Sequence, residues 1–207
     1  MSGYEIARLT ELESFSGPGT LRWTPVRRHF GITAFGVNAY TAAEAGQDVV
    51  EEHTEERFGH EELYVVVSGR ATFTLDGDEV EVPAGSAVFL RDPAVKRYAR
   101  AEEPGTTVLA VGGKPGAHEV SAWEWFFVAY AVADADPERA VAELEAGLAG
   151  QPDNPVLNYH LACILSRAGR LDEARMRLDR ALELDPKLRE WAEEDEDLEP
   201  LGVSRQS

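Results

Sequence analysis

Residues 59–69 read GHEELYVVVSG and residues 70–85 read RATFTLDGDEVEVPAG, and this stretch decides the fold of the first half of the chain. Apolar residues alternate or run together in Leu63–Val67, Ala71–Leu75, Glu79–Val82 and Ala87–Leu90. Each run is bounded by Ser-Gly, Asp-Gly-Asp or Pro-Ala-Gly, so the pattern predicts short strands joined by tight turns. Asp76-Gly77-Asp78 supplies residues that tolerate positive φ, as a two-residue hairpin requires. Further strands are predicted at Ile32–Tyr40, Lys96–Ala101 and Thr106–Val111, which completes a small antiparallel β-barrel before residue 115.

Strand alternation predicts which side chains see the interior. If Glu62 points inward, so do Tyr64 and Val66, while Leu63, Val65 and Val67 lie on the outer face. The result is a pocket with an apolar floor and a polar mouth, of a size that holds one small ligand. His53 and His60 exchange protons near neutrality, and Glu62 becomes a base if burial raises its pKa. Tyr64 is read first as a core aromatic with a satisfied hydroxyl.

The same residues resemble the cupin family, whose two motifs are written G-x5-H-x-H-x3,4-E-x6-G and G-x5-P-x-G-x2-H-x3-N. Glu62, six further residues and Gly69 match the end of the first motif, and Gly85 opens the second. The resemblance covers roughly residues 25–115 and implies a jelly-roll barrel with a ligand or metal at its mouth. It departs from the family at the ligands. Counting back from Glu62 places Glu56 and Phe58, or Glu55 and Arg57, at the histidine positions, and Lys96 falls where the second motif has its histidine.

Two readings of the mouth stay open. His53, Glu55, His60 and Glu62 form a nitrogen and oxygen set suited to a divalent metal such as Zn, Mn, Fe or Ni. Alternatively Glu55, Glu61, Glu62 and Lys96 form ion pairs, with Lys96 facing Glu62 where a metal's charge would sit. The second is favoured, so no cofactor is expected, a divalent metal being the alternative. The ligand-binding set is His53, Glu55, His60, Glu62, Tyr64 and Lys96, with no catalytic residue assigned.

Beyond residue 120 the period becomes helical. Pro152 and Pro186 stand one 34-residue repeat apart. Between them Leu161, Ala162, Leu165, Gly169, Ala174, Leu178 and Ala181 fall at tetratricopeptide spacing. Leu157, Leu161 and Leu165 share one helix face, and Leu171, Ala174, Leu178 and Ala181 share the next. Shifting back one repeat places Phe127, Ala140 and Leu144 at the positions of Leu161, Ala174 and Leu178, with Pro137 opening a helix. The fold class is therefore α+β: a barrel over 1–115, tetratricopeptide-like helices over 121–192 and an acidic, solvated tail over 193–207. Two repeats and a fragment bury too little on their own, so the helices are expected to pack on the barrel or on a second copy of the chain. Trp123, Trp125, Phe126, Phe127 and Tyr130 are read as hydrophobic core.

The formal net charge of −18 divides as −8 over residues 1–119 (eleven basic, nineteen acidic) and −10 over 120–207 (nine basic, nineteen acidic). Nucleic acid and anionic membrane surfaces are poor partners for such a chain. The local cluster Arg22, Arg27, Arg28 and His29 suits a carboxylate or phosphate group, but pairing with Glu51 and Glu52 is the expectation favoured. Cys163 is the only cysteine and is read as a buried structural thiol. No signal peptide or membrane span is seen, which implies a cytoplasmic location, and seventeen arginines against three lysines suggest a GC-rich bacterial source.

The expected function is small-molecule binding without the usual metal motif, with sensing or scaffolding through the helices. The alternative is an isomerase, lyase or dioxygenase using a non-standard His/Glu metal site or a metal-free His/Glu/Lys acid–base set. The expected partners are a small-molecule ligand and a protein or peptide, or a second copy in a homodimer.

Overall fold

The turn at Asp76-Gly77 shows how local chemistry builds the barrel. Asp76 has φ 51° and Gly77 φ 98°, so two residues reverse the chain between adjacent antiparallel strands. In the computed structural model, which describes residues 5–203, the elements of the first unit are β1 (Phe15–Ser16), β2 (Arg22–Thr24), α1 (Val26–Phe30) and β3 (Gly36–Thr41). There follow β4 (Asp48–His53), β5 (Glu61–Ser68), β6 (Arg70–Leu75), β7 (Asp78–Pro83), β8 (Ala87–Leu90), β9 (Arg97–Ala101) and β10 (Thr107–Gly113). The chain divides into two units after His118.

Two antiparallel sheets make the first unit, one of six strands in the order β1-β2-β3-β10-β5-β8 and one of four in the order β4-β9-β6-β7. Their inner faces meet in a core that includes Val49, Val50, Tyr64, Val66, Phe73, Leu90, Ala99 and Val108. Along β5 the burial alternates as expected. Tyr64 and Val66 are buried and Leu63 and Val67 exposed, so Glu62 shares the inner face. Gly69 ends β5 with φ 70°, and a Cβ there would lie 2.4 Å from Thr106 Oγ1, which itself donates to the Arg70 carbonyl.

Three elements differ from the sequence reading. β4 is absent from it, because Asp48–His53 carries two apolar residues and then three polar ones with no alternation. The strand expected from Ile32 begins only at Gly36, and β10 runs to Gly113, two residues beyond the expected strand end at Val111. The basic cluster is placed otherwise than expected. Arg22 donates to Ser14, Arg27 to the Ile32 carbonyl and His29 pairs with Glu5, while Glu52 pairs with Lys96.

The second unit contains α2 (Ala122–Val132), α3 (Pro137–Gly150), α4 (Pro155–Arg167), α5 (Leu171–Leu184) and α6 (Leu188–Ala192). Ser121, Asp136 and Asn154 cap the first three of these, each side chain accepting a backbone N–H of the first turn. Pro137 and Pro155 open α3 and α4. Leu157, Leu161, Leu165, Ala174, Leu178 and Ala181 are buried as the repeat spacing requires, whereas Leu171 is exposed.

The acidic tail is corrected by the structure. Glu196–Leu201 forms a 3-10 turn whose Leu198 is 0% exposed and whose Leu201 is buried in the helical core. Two leucines three residues apart supply what a purely acidic run lacks, an apolar edge. With α6, this turn adds Leu188, Ala192, Leu198 and Leu201 to the helical core. The residues Ser204–Ser207, expected to continue the tail, lie outside the described residues. Within α2 the aromatic cluster splits: Trp125, Phe126 and Tyr130 pack against the core, while Trp123 is 61% exposed and Phe127 55%.

Candidate functional site

His53 ends β4 directly opposite Arg97 of β9, so both side chains leave the sheet on the same inward face. Glu62, near the start of β5, reaches the same place from the other sheet, and the loop after β4 brings in Glu55 and His60. Glu55 is fixed by its backbone: its N–H donates to the Pro93 carbonyl, and its own carbonyl accepts from Phe58 and Gly59. The phenyl ring of Phe58 stacks on His60.

The distances define a tight polar cluster. His53 Nε2 lies 3.7 Å from Glu62 Oε2 and 3.9 Å from Glu55 Oε1, and His60 Nδ1 lies 3.3 Å from Glu55 Oε2. The Tyr64 hydroxyl donates to Glu62 Oε2 at 2.6 Å, and Arg97 Nε lies 3.3 Å from the same oxygen. Arg97 is fully buried and also donates from Nη1 to the Pro93 carbonyl.

The expected place of Lys96 is corrected here. Lys96 sits one residue before β9 and is exposed, with Nζ 2.6 Å from Glu52, so it stays outside the pocket. The cation that faces Glu62 is Arg97. Sequence parity carried the signal, because Arg97, Ala99 and Ala101 alternate inward and only small residues share that face with the guanidinium.

The orientation of His53 is defined. Its Nδ1 lies 2.7 Å from the Glu51 carbonyl, which only accepts, so Nδ1 carries a proton and Nε2, beside the carboxylates, is the nitrogen that takes up or releases one. Pairing with Glu62 raises the His53 pKa above its ordinary value, more than burial and Arg97 lower it. For Glu62, burial pushes the pKa up, but hydrogen bonds from His53 and Tyr64, with Arg97, outweigh it and leave a net lowering. Burial and the nearby Glu62 carboxylate raise the Tyr64 pKa strongly. Burial raises Tyr40 to about 12, with Glu51, Glu62 and Glu55 adding to it.

His53, Glu55, His60, Glu62 and Tyr64 line one wall of a cavity of about 900 Å³ at the barrel mouth, within the roughly 300–1,000 Å³ typical of small-molecule sites. Tyr40, Asn38, Glu51, Arg27 and Lys114 also line it. The sequence reading did not include them in the site, because they come from four separate places in the chain: β3, β4, α1 and the residue after β10. Glu51 Oε2 and Glu55 Oε2 are buried and accept no hydrogen bond among the described residues.

A metal fits this wall poorly. His53, Glu55 and Glu62 bring one ligand atom each to within 4.8 Å of one another, a donor set of the right type. Glu62 Oε2, however, already receives the Tyr64 hydroxyl and faces a buried guanidinium, whose charge repels a cation. In the helical unit Cys163, Asp195 and Asp197 form a second such group. There Asp195 accepts from the Tyr159 hydroxyl and the Cys163 thiol, and Asp197 pairs with Arg167. Burial pushes the Cys163 thiol pKa well up, the behaviour of a structural thiol.

Residues 131–193 match the tetratricopeptide repeat family. In fold the chain is similar to a cupin protein from Bacteroides fragilis, at 22% identity over 59% of this chain and 93% of that one, with a TM-score of 0.46. It is also similar to a sugar phosphate isomerase of the cupin superfamily from Silicibacter pomeroyi (18% identity, 53% of this chain and 76% of that one, TM-score 0.43). The Streptomyces nucleoside dehydratase Pac13 shares 20% identity over 53% of this chain and 82% of that one, with a TM-score of 0.40. Curated proteins give no match. The chain is thus similar to cupins in its barrel and carries tetratricopeptide-like helices after it. Among the described residues, no helix is long and apolar enough to cross a membrane.

Proposed function

We propose that the barrel unit captures a small polar organic molecule in its mouth cavity and that the helical unit serves as a contact module for a protein partner. The observation that carries the first part is the cavity wall itself. It is a pre-formed space of about 900 Å³ whose buried Glu51 and Glu55 oxygens await donors, above an apolar floor that includes Tyr64 and Val50. Such convergence of a few polar groups in an apolar concavity is the ordinary form of a ligand site. The repeat match and the exposed Trp123 and Phe127 support the second part. A cytoplasmic role is part of the same reading.

The test is mass spectrometry of protein purified without an affinity tag, comparing small molecules released on denaturation from the parent and from a Glu55→Ala, Glu62→Ala variant. One organic ligand near stoichiometry in the parent and none in the variant is the expected outcome. Stoichiometric zinc, manganese, iron or nickel by elemental analysis, with no organic ligand, would overturn the reading.

The geometry of His53 favours a second reading, acid–base catalysis on the captured molecule. Nδ1–H is tied to the Glu51 carbonyl, so Nε2 is the atom free to take a proton from a ligand, and Glu62 then stabilises the imidazolium. The Tyr64 proton is committed to Glu62, which leaves the tyrosine a positioning role. A His53→Gln variant that binds ligand but no longer turns it over supports this reading; unchanged turnover sinks it.

A further inference from the structure

Building on the reading that the mouth cavity captures a small molecule, we infer that its ligand is zwitterionic, with a protonated amine held at Glu51 and Glu55 and an anionic group held at Arg27 and Lys114. Three carboxylates, Glu51, Glu55 and Glu62, line the cavity wall, whereas the guanidinium that faces Glu62, that of Arg97, is fully buried and does not line it. Glu62 is already occupied, since Tyr64 donates to it and Arg97 faces it. Glu51 and Glu55 are not. Each keeps a buried Oε2 that accepts no hydrogen bond, and the Glu55 oxygen has only His60 Nδ1 nearby at 3.3 Å.

A buried carboxylate oxygen without a donor is costly, so the occupant must bring donors. Hydroxyl groups would fill the acceptors but leave the charge uncompensated. An ammonium group supplies both, with three N–H donors on a compact cation. An anionic head is disfavoured at this wall, because three carboxylates line it and the one cation beside them, Arg97, is wholly buried and does not line the cavity.

At the rim the polarity reverses. Arg27 and Lys114 are exposed and line the same cavity. Arg27 spends Nη1 on the Ile32 carbonyl, and among the described residues no carboxylate pairs with Arg27 or Lys114. A guanidinium and an ammonium lining the same cavity, neither paired with a carboxylate among the described residues, suit a carboxylate or phosphate. Acidic inside and basic outside, the cavity selects a ligand with the opposite arrangement.

Calorimetric titration of the full chain at pH 7 and low salt, with chelator present, tests this with glucosamine 6-phosphate, glucose 6-phosphate and glucosamine as probes. The compound with both charges is expected to bind at least about tenfold more tightly than either single-charge probe, the ordinary worth of a charge-assisted hydrogen bond. A Glu51→Gln, Glu55→Gln variant should erase the advantage of the amine only, and an Arg27→Ala, Lys114→Ala variant that of the phosphate only; thermal melts confirm that both fold. Equal binding of glucosamine 6-phosphate and glucose 6-phosphate overturns the zwitterion while leaving capture intact. So does binding of manganese or zinc alone, titrated in a parallel run without chelator, that depends on Glu55. If none of the three probes binds, the inference also falls, and a co-purified ligand then decides separately whether capture stands.

Discussion

Arg97 Nε lies 3.3 Å from Glu62 Oε2 inside the barrel, and the guanidinium is wholly buried. The neighbouring Lys96 has a shorter pair, 2.6 Å to Glu52, but at the surface. The shorter distance belongs to the weaker interaction, since exposed pairs contribute about 0–1 kcal/mol whereas breaking a buried pair costs about 3–5 kcal/mol. Arg97→Met is therefore expected to lower unfolding free energy by several-fold more than Lys96→Ala, measured by urea denaturation. Equal effects would contradict the placement of Arg97 as the interior cation.

That one-residue offset shows how far the sequence was legible. β5 to β8 follow from alternation and turn residues, and the inward face of Glu62 and Tyr64 follows from β5 alone. The far wall of the pocket depends on β4, whose Asp48–His53 sequence has no alternation, and on the phase of β9. A motif count placed Lys96 inward, while the small residues Ala99 and Ala101 put Arg97 there. Family spacing transfers less reliably than parity within the strand itself, because a loop of different length shifts the count but not the alternation.

The His53–Glu62 pair gives stability a pH dependence with two flanks. The folded pKa of His53 is raised above its ordinary 6.5, so its contribution is fully present below that value and lost as pH rises through the folded pKa. Glu51, through its carbonyl, and Glu62 face the imidazole and favour its charge, Arg97 opposes it, and Glu55 lies alongside. Glu62 works in the opposite direction. Its lowered pKa gives stability that is present above the ordinary carboxylate value of 4.5 and lost as pH falls through the lower folded value. Thermal melts from pH 5 to 9 should show a decline above pH 6.5 in the parent that is absent in His53→Gln. A parallel decline in both proteins would assign it to other groups.

Gly69 and Gly85 frame the hairpins at φ 70° and 84°, yet they differ in their surroundings. A Cβ at Gly85 meets nothing within 4 Å, so Gly85→Ala should cost only the left-handed conformation, about 1–2 kcal/mol. At Gly69 the same atom would fall 2.7 Å from the Thr106 Cα, a backbone position that cannot move aside without breaking the contacts of Thr106 with Arg70 and Glu103. Gly69→Ala should therefore be clearly the more destabilising of the two in parallel melts. If the two variants melt alike, the close approach of Thr106 is not what fixes glycine at this turn.

Leu198 separates a core segment from a solvated tail. The acidic run Glu193–Glu199 reads as solvent-exposed by composition, but Leu198 is completely buried among the helices, and Asp195 on the same segment accepts from the Tyr159 hydroxyl at 2.8 Å. Leu198→Ala should cost about 2–5 kcal/mol, the range for removing a buried leucine side chain. A tail residue would cost nothing measurable. Since the repeats alone leave apolar faces open, the loss should appear as earlier melting of the helical signal by circular dichroism, and Tyr159→Phe should reproduce a smaller part of it by deleting the bond to Asp195. An unchanged melt in Leu198→Ala would return residues 195–201 to the solvent.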